Sequence, residues 1–368
     1  MTRPPTDFEW SENDRRAVDT ARLLALDAVE QAGNGHPGTA VSLAPAAYLL
    51  FQRHLRHDPA DPSWPGRDRF VLSAGHTSLT LYTQLYLSGY PLMLDDLRAL
   101  RTWGSQTPGH PEWNHTPGVE TTTGPLGQGV GNAVGMAMDA RRVHGLLDPD
   151  APAGTSLFDH RVFALASDGD LEEGVSAEAS SLAGTQELGN LTLIWDDNHI
   201  SIEDDTSVAF TEDVCARYEA YGWHVQRVEW LRPDGEYVED VAALDAALTE
   251  AATVTDRPSL IALRTVIAWP APTKQNTGAI HGSKAGADEV RAVKALLGAD
   301  PDVSFAVDDE VLAHARRVAE RGAAAHADWD SRLATWRSSN PDRSALFDRL
   351  RSRRLPEGWR DALPTFAD

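Results

Sequence analysis

Apolar runs in this chain end abruptly at polar loops, and helical patterns separate them. Short β-prone runs predict strands near 69–73, 161–167, 191–196, 223–229 and 258–267. Amphipathic patterns between the later runs predict helices near 174–187, 211–221 and 239–252. This alternation is typical of an α/β fold, in which a doubly wound, mostly parallel sheet carries helices on both faces.

The N-terminal part of the chain predicts helices joined by glycine-rich loops. Ser11 is a candidate N-cap for a helix that runs to about residue 31 and stops at Gly33. Further helices are expected near 40–54, near 78–88 and from the glycine cluster at 124–129 to about 143. From about 286 the pattern is helical and rich in Ala and Arg. We therefore expect a loose leader at 1–10, a main domain at 11–298, and a helical C-terminal extension with a linker-like tail at 299–368.

Composition and charge argue against some classes of binding partner and indicate the cellular compartment. The formal charge is −22, from 33 basic and 55 acidic residues, which argues against a nucleic-acid partner and against an anionic membrane. Cys215 is the single cysteine, so no intrachain disulfide can form, as is usual in a reducing cytosol. No stretch approaches 18 apolar residues, and the N-terminus has no apolar signal segment. A cytoplasmic protein with a solvated acidic surface is expected.

Two strand ends carry oxygen ligands. The run 161–167 leads into Asp168-Gly169-Asp170, and the run 191–196 leads into Asp197-Asn198. Hard oxygen donors suit Mg²⁺ or Ca²⁺, and Mg²⁺ usually completes its coordination with phosphate oxygens. The pair therefore predicts a metal-bridged diphosphate at the edge of the sheet. Two plainer interpretations stay open: Asp168 as a helix N-cap and Asn198 as a turn residue.

Glycines and histidines cluster in the predicted loops. Gly124, Gly127 and Gly129 precede a helix, where their amides can approach a diphosphate, although turns and close packing explain most such clusters. Four histidines lie in turns flanked by Gly or Pro, which favours a shared polar site: His36, His76, His110 and His281. Five others are expected to be solvated: His54, His57, His144, His160 and His326. Glu173 and Glu178 begin a helix, where alone they would only favour its dipole.

Read in chain order, these segments resemble the thiamine-diphosphate-dependent transketolases. The matching segments are Gly35-His36-Pro37-Gly38, Asp68 to Ser73 with Gly75-His76, Thr107 to Glu112, Gly118 to Gly129, Asp168-Gly169, Asp196-Asp197-Asn198, Ile200-Ser201-Ile202 and Glu219 to Trp223. The segment from Thr123 to Gly129 is highly specific, and the resemblance covers about 14 to 298. It implies that 11–298 is the domain that binds the cofactor diphosphate.

The resemblance also implies individual roles. The Mg²⁺ or Ca²⁺ ligands would be the Asp168 and Asn198 side chains and the Ile200 carbonyl. The cofactor would be bound by His76, Gly124, Leu126, Asp168, Gly169, Asn198 and His281. The residues that line the substrate channel and engage the ketose hydroxyls and the developing alkoxide would be His36, His110 and His281. An interfacial carboxylate network linking paired active sites would include Glu173 and Glu178.

Three positions depart from the family pattern. Ser167 stands where Gly is usual before Asp-Gly, and Thr77 stands where a second Gly usually follows Gly-His. Pro270, with the segment 275–278, reshapes the approach to His281. Ser167 and Thr77 add bulk near the cofactor, so we expect them to affect fit and substrate choice without removing a ligand.

Transketolases are about twice this long, because further domains bind the aminopyrimidine and supply the glutamate that activates it. The resemblance therefore implies the diphosphate-binding half of a split transketolase. Such a subunit would be inactive alone and would pair with a separate pyrimidine-binding subunit, in an α2β2 assembly, to transfer a two-carbon ketol unit from a ketose to an aldose, free or phosphorylated. One alternative is another thiamine-diphosphate enzyme, such as a deoxyxylulose-phosphate or dihydroxyacetone synthase or a biosynthetic enzyme. Another is a non-catalytic regulatory or scaffold subunit that kept the fold.

Overall fold

A parallel five-stranded sheet forms the centre of the protein in a computed structural model that describes residues 8–202 and 204–366. The strands are β1 (Arg69–Leu72), β2 (Val162–Ser167), β3 (Leu191–Asp197), β4 (Ile200–Ser201), β5 (Asp204–Asp205), β6 (His224–Glu229) and β7 (Ser259–Arg264). The sheet has the order β1-β2-β3-β7-β6, and every neighbouring pair is parallel. Strands β4 and β5 form a separate antiparallel hairpin. The predicted α/β fold class is confirmed.

Helices precede, connect and follow these strands. They are α1 (Glu12–Ala32), α2 (Pro37–Ser42), α3 (Ala44–Leu49), α4 (Ser78–Ser88), α5 (Leu94–Arg98), α6 (Gln128–Leu147), α7 (Asp168–Glu172), α8 (Gly174–Thr185), α9 (Val214–Ala220), α10 (Val241–Ala251), α11 (Ala287–Leu296), α12 (Asp309–Ala315), α13 (Val318–Ser339) and α14 (Pro341–Arg351). Within the described residues, no helix is both long and apolar enough to cross a membrane.

Alternate side chains of the central strands enter two different apolar cores. On β2, which is buried along its whole length, Phe163 and Leu165 pack with residues of α1, α3, α4 and α10. Ala164 and Ala166 face the other way and pack with α6, α8 and α9. A strand covered on both faces must be apolar on both, which is why β2 reads as a continuous hydrophobic run.

Helix α1 begins and ends where the sequence predicts, whereas the region expected to form one helix near 40–54 is divided. Ser11 caps α1 in a reciprocal capping box with Asp14, and Gly33 ends the helix at φ 78°. The single helix expected near 40–54 is divided into α2, α3 and a π-helical turn at Leu50–His54. Pro45 lies in the first turn of α3, where a missing N–H is tolerated, but it cannot continue the hydrogen bonding of α2.

Two histidines expected to be solvated are buried. His57 is 2% exposed, with Nδ1 3.0 Å from the Tyr90 hydroxyl and Nε2 2.9 Å from the Phe51 carbonyl. The His54 side chain is 3% exposed and lies 2.8 Å from Asp245. The prediction is wrong for both, because each ring finds its polar partners inside the protein. The others, His144, His160 and His326, are partly buried.

The C-terminal helices pack on the same body as the sheet. Helix α12 contacts α1, and Trp329 of α13 donates its Nε1–H to the Leu157 carbonyl at 2.7 Å. The division of the chain near 298 stays a prediction. Of the expected leader, residues 1–7 lie outside the described part, and Phe8 and Trp10 pack against the core.

Candidate functional site

Strands β2 and β3 end level with each other, at the carboxyl edge of the sheet. Ser167 pairs in register with Asp196, so Asp168 follows one strand beside the end of the other. Asp168 is 3% exposed; its Oδ1 accepts a hydrogen bond from Trp195 Nε1 at 3.0 Å, and its Oδ2 accepts one from the His199 amide at 3.1 Å. The N-cap interpretation of Asp168 is wrong, because Ser167 is the N-cap of α7.

The charge around Asp168 favours a cation. Burial raises its pKa well above the ordinary value, and the nearby carboxylates of Asp196 and Asp197 raise it further. Burial also raises the pKa of Asp196 to about 6, although Thr265 and Asn198 donate hydrogen bonds to it. Both hydrogen-bond donors to Asp168 within the described part of the chain are neutral. A divalent cation at this edge would offset the crowded negative charge.

Asn198 closes a turn at the end of β3. Its Oδ1 accepts from the Ile200 amide at 2.8 Å, and its Nδ2 donates to Asp196 at 2.7 Å, while His199 has φ 63°. The turn interpretation is therefore correct, and it is compatible with a ligand role, since an amide oxygen has a second lone pair. Among residues 8–202 and 204–366, no group of three or more His, Cys, Asp or Glu is arranged to hold a metal.

The glycine loop before α6 lies against the end of β1. Gly124 and Gly127 have φ 152° and 77°, which glycine adopts without strain. A Cβ on Gly129 would lie 2.4 Å from the Ser73 Cα, so close packing explains this glycine. A Cβ on Gly75 would lie 2.9 Å from the Gly124 amide nitrogen. The loop thus adjoins the segment that carries His76.

Two further close contacts place the glycine loop before α6 beside the start of α7 and beside His110. A Cβ on Gly169 would lie 3.1 Å from Leu126 Cδ1 and 3.8 Å from Ser201 Oγ. A Cβ on Gly124 would lie 3.4 Å from the His110 ring. The glycines therefore leave a cradle bordered by the start of α7, the β4–β5 hairpin and the loop before α6, next to His110.

Three of the four motif histidines form one cluster. Ring centroids are 5.2 Å apart for His36 and His76, 5.7 Å for His36 and His281, and 5.0 Å for His76 and His281. One buried nitrogen of each ring has no hydrogen-bond partner among the described residues, namely His36 Nδ1, His76 Nε2 and His281 Nδ1. Buried polar atoms normally have a hydrogen-bond partner, so three unsatisfied ring nitrogens in one cluster point to a polar ligand.

These imidazoles are neutral near pH 7. Burial lowers the pKa of His36 to about 4, with smaller contributions from His281, Arg101 and His110. Burial also lowers the pKa of His76 well below its ordinary value and lowers that of His281. A neutral imidazole offers one donor and one acceptor, which suits hydroxyl groups and proton transfer.

Glu173 and Glu178 lie at the start of α8, Glu173 as its N-cap residue and Glu178 within the helix. Both are exposed, as are Val175 and Leu182 of the same helix. Of the two, Glu173 approaches the cradle, since a Cβ placed on Gly127 would lie 2.9 Å from the Cβ of Glu173. Their role in an interfacial network stays a prediction.

Both bulky departures from the family pattern are accommodated locally. The hydroxyl of Thr77 lies 2.7 Å from that of Thr80, and Thr77 is fully buried. The hydroxyl of Ser167 donates to the Asp170 carboxylate at 2.9 Å. These hydrogen bonds give both hydroxyls a partner within the protein, and the expected effect on fit and substrate choice stays a prediction.

Sequence reasoning missed the structural role of Asp170, and it did not single out Arg101. Asp170 is fully buried and holds the Gly127 amide at 2.8 Å; its signal was the spacing of Ser167 and Asp170, which matches a capping box. Arg101 is exposed, and its charge lowers the pKa values of His36 and His110 after the larger effect of burial. No sequence pattern set Arg101 apart from the other arginines.

A separate cavity of about 530 Å³ lies at the opposite, amino-terminal edge of the sheet. Its lining includes Arg141, His144 and Asn190. His144 pairs with Asp159 at 2.6 Å, and the Asn190 amide group donates to two carbonyls. The predicted site residues lie at the other edge.

The chain is similar to transketolases over almost its whole length. The family model described as transketolase, thiamine diphosphate binding domain, matches residues 13–356. A transketolase from Mycobacterium bovis is 58% identical over 364 residues, which are 99% of this chain and 51% of the relative. One from Geobacillus stearothermophilus is 45% identical over 351 residues, covering 95% of this chain and 51% of the relative. The chain thus spans about half the length of these relatives.

Solved structures agree with the sequence matches. A transketolase from Pichia stipitis in complex with sedoheptulose-7-phosphate superposes with a TM-score of 0.90 at 43% identity, covering 97% of this chain and 51% of that one. A transketolase from Leishmania mexicana gives 0.90 at 38% identity, with 98% and 52% covered. Sequence and fold lead to the same conclusion: the chain belongs to the transketolase family, as its N-terminal, thiamine diphosphate binding domain.

Proposed function

We propose that this chain holds thiamine diphosphate through a divalent cation and contributes half of a transketolase active site. The reaction is transfer of a two-carbon ketol unit from a ketose to an aldose. The observation that carries the proposal is the cluster of His36, His76 and His281, in which one buried nitrogen of each ring has no partner among the described residues. His76 follows Gly75, which packs against the glycine loop at Gly124. The sugar phosphate bound in the Pichia stipitis transketolase favours phosphorylated substrates.

The residues of the carboxyl edge fit the cofactor. Asp168 is a buried carboxylate among other carboxylates, which suits a cation ligand. With the Asn198 amide oxygen and the Ile200 carbonyl it would hold Mg²⁺ or Ca²⁺, both of which prefer oxygen donors. His76 and His281 would donate to the diphosphate, and Gly124, Leu126 and Gly169 would lie against the cofactor.

When bound, thiamine diphosphate supplies the carbanion chemistry needed to break and form the carbon–carbon bonds. The chain supplies orientation and proton transfer. His36, His110 and His281 would engage the ketose hydroxyls and accept or return their protons through ring nitrogens. Burial keeps their pKa values low, so each ring begins as a proton acceptor.

The other half of the active site would come from a pyrimidine-binding polypeptide. It would bring the carboxylate that activates the aminopyrimidine, and we propose a separate chain in an α2β2 assembly. Exposed apolar side chains support a partner surface: Val175 is 47% exposed, Leu182 43%, Ile202 67% and Val208 79%. Glu173 and Glu178 are exposed at the start of α8, beside Val175, and would join the proposed interfacial carboxylate network there. The relatives reported above are all named transketolases, so neither the synthase nor the scaffold alternative is favoured.

Reconstitution tests the proposal. The chain, mixed with a pyrimidine-binding half, Mg²⁺ and thiamine diphosphate, should transfer the ketol unit between a ketose phosphate and an aldose phosphate. The chain alone should show no turnover; robust turnover would reject the separate partner. In the reconstituted complex, Asp168→Ala should abolish calorimetric cofactor binding, whereas Asp213→Asn, at the exposed cap of α9, should not. Equal binding by wild type and Asp168→Ala would remove the basis of the metal site.

A further inference from the structure

The carboxylate of Asp170 joins three segments that border the cradle. Its Oδ1 accepts hydrogen bonds from the Gly127 amide and the Ser73 hydroxyl, both at 2.8 Å. Its Oδ2 accepts from the Ser167 amide at 2.8 Å and from the Ser167 hydroxyl at 2.9 Å. One side chain therefore connects the ends of β1 and β2 to the glycine loop before α6.

The connection continues into the first turn of α6. The Ser73 hydroxyl, which donates to Asp170, accepts from the Val130 amide at 3.1 Å. Helix N-termini leave several amides without helical partners. Here the amides of Gly127 and Val130 are both held, directly or through Ser73, by Asp170. The start of α6 is thus tied to the sheet edge and not only to the helix itself.

Asp170 does this without access to a ligand. It is 0% exposed, whereas Gly169, next to it in the chain, lies in the cradle opposite Leu126. Any effect of the carboxylate on the cofactor must therefore pass through the loop that it holds. We propose that Asp170 is a positioning residue that fixes the 124–127 loop against Gly169 in the arrangement that accepts the cofactor. The inference rests on the proposed cofactor site.

The hydrogen bonds require a carboxylate rather than an amide. Asparagine at position 170 would offer one acceptor oxygen and one donating NH₂ group. In either orientation the NH₂ would face a main-chain N–H, of Gly127 or of Ser167, and a main-chain N–H cannot turn away. Asp170→Asn therefore keeps the shape of the side chain and releases one of the segments that it joins.

Two further variants test whether the loss of cofactor affinity follows the hydrogen bonds of Asp170 or a general loss of stability. Ser167→Ala removes one bond on the Oδ2 side and leaves the Gly127 contact, so it should weaken cofactor binding less than Asp170→Asn. Asp27→Asn is a matched control, because Asp27 is also a buried carboxylate, 4% exposed, but pairs with Lys294 away from the cradle. It should lower the melting temperature without changing the cofactor affinity of the folded protein.

Calorimetric titration of the chain reconstituted with a pyrimidine-binding half, with thiamine diphosphate at saturating Mg²⁺, provides the main measurement. Replacement of residues that orient ligand-binding groups typically weakens binding about 10- to 100-fold, and we expect that loss for Asp170→Asn. In the cofactor-free protein, the Gly127 and Val130 amides should exchange hydrogen faster in this variant. After reconstitution at saturating cofactor, kcat should be close to that of the wild type.

The outcomes separate this inference from the proposed function. If the reconstituted wild type binds no thiamine diphosphate, both fall. If the wild type binds and Asp170→Asn binds equally well, with unchanged exchange at Gly127, only the positioning role falls. Equal weakening by Asp170→Asn and Asp27→Asn would indicate general destabilisation and would also overturn it. If Asp170→Asn does not fold, Ser73→Ala decides, because it cuts the link to Val130, and unchanged affinity and exchange would reject the proposal.

Discussion

The imidazole rings of His76 and His281 lie stacked, with centroids 5.0 Å apart and planes inclined by 29°. His76 follows β1 in the chain, whereas His281 follows β7. Each ring keeps one buried nitrogen without a partner among the described residues, and burial keeps both pKa values low. The pair therefore presents neutral, unsatisfied ring nitrogens, which a bound diphosphate would satisfy with hydrogen bonds.

Replacement of His36 tests the division of roles within the cluster. His36→Asn should lower turnover of the reconstituted enzyme by about 100-fold, the usual contribution of general acid–base catalysis. Cofactor affinity should change little, because His36 is assigned to the channel. Steady-state kinetics and calorimetry measure the two effects, with His224→Gln on β6 as the control. Turnover that matches the wild type would contradict the assignment.

Acid should destabilise the protein through its buried histidines. Burial lowers the pKa of His57 to about 4 from an ordinary value of 6.5. Between these values the unfolded chain binds more protons than the folded one, so stability falls as pH decreases through this window. From pH 7 to 5, His57 alone should account for about 2 kcal/mol of the loss in unfolding free energy. Urea denaturation at both pH values should show a smaller loss for His57→Gln.

His144 should behave in the opposite sense. Burial lowers its pKa, but the hydrogen bond and charge of Asp159, with the Ala151 carbonyl and the charge of Asp148, together outweigh burial and raise the pKa overall. Its contribution is complete below pH 6.5 and is lost as pH rises through the folded-state pKa. His144→Gln should therefore cost more stability at pH 5 than at pH 8. The same urea series measures it, and an equal cost at both pH values would refute the linkage.

Replacing either of two α6 glycines by alanine should change the free energy of unfolding, in opposite directions for the two positions. Gly129→Ala would place a Cβ 2.4 Å from the Ser73 backbone, and we expect a loss of about 1–3 kcal/mol together with weaker cofactor binding. Gly135 has open space around the added atom, so Gly135→Ala should stabilise the helix by roughly 0.5–1 kcal/mol. Urea denaturation of the chain measures both. Destabilisation by both variants would contradict the packing argument.

A buried ion pair anchors the segment that follows α11. Lys294 Nζ lies 2.6 Å from Asp27, and each side chain is 3% exposed. The same groups hold the Val303 carbonyl at 2.9 Å and the Phe305 amide at 2.7 Å. Lys294→Met would leave the Asp27 carboxylate buried without its counter-charge, at a cost of about 3–5 kcal/mol.

The double variant Asp27→Asn with Lys294→Met should recover part of that loss, because neither charge then remains buried alone. Denaturant unfolding measures the stability, and limited proteolysis near residue 303 reports release of the segment. If Lys294→Met alone is as stable as the wild type, the ion pair does not anchor this region.

Patterns within single segments predicted much of the fold. Helix α4 begins and ends where the sequence indicated, and the strands of the sheet lie within a few residues of the predicted runs. Their signals are local, since a parallel strand buried on both faces must be apolar throughout and Gly89 ends α4 in the left-handed conformation. The β4–β5 hairpin was missed because each strand has two residues, too few to show a pattern.

Contacts between distant segments were beyond the reach of the sequence. His57 lies in an ordinary polar stretch, and only the fold brings Tyr90 to its ring. Asp170 belonged to a predicted ligand motif, yet its carboxylate faces Ser73 and Gly127 rather than the open cradle. The Gly/Pro-flanked histidines were easier to select, because loops at a strand's carboxyl end often carry binding residues. The family resemblance, more than any local pattern, assigned their individual roles.

The histidine cluster also bears on how the protein folds. All five strands of the sheet lie between His36 and His281 in the chain, so the cluster depends on contacts between residues far apart in sequence. Such contacts form slowly, since a long stretch of chain must be ordered before they are gained. Affinity for the cofactor should therefore appear last during refolding, and cofactor added early should not accelerate the preceding steps.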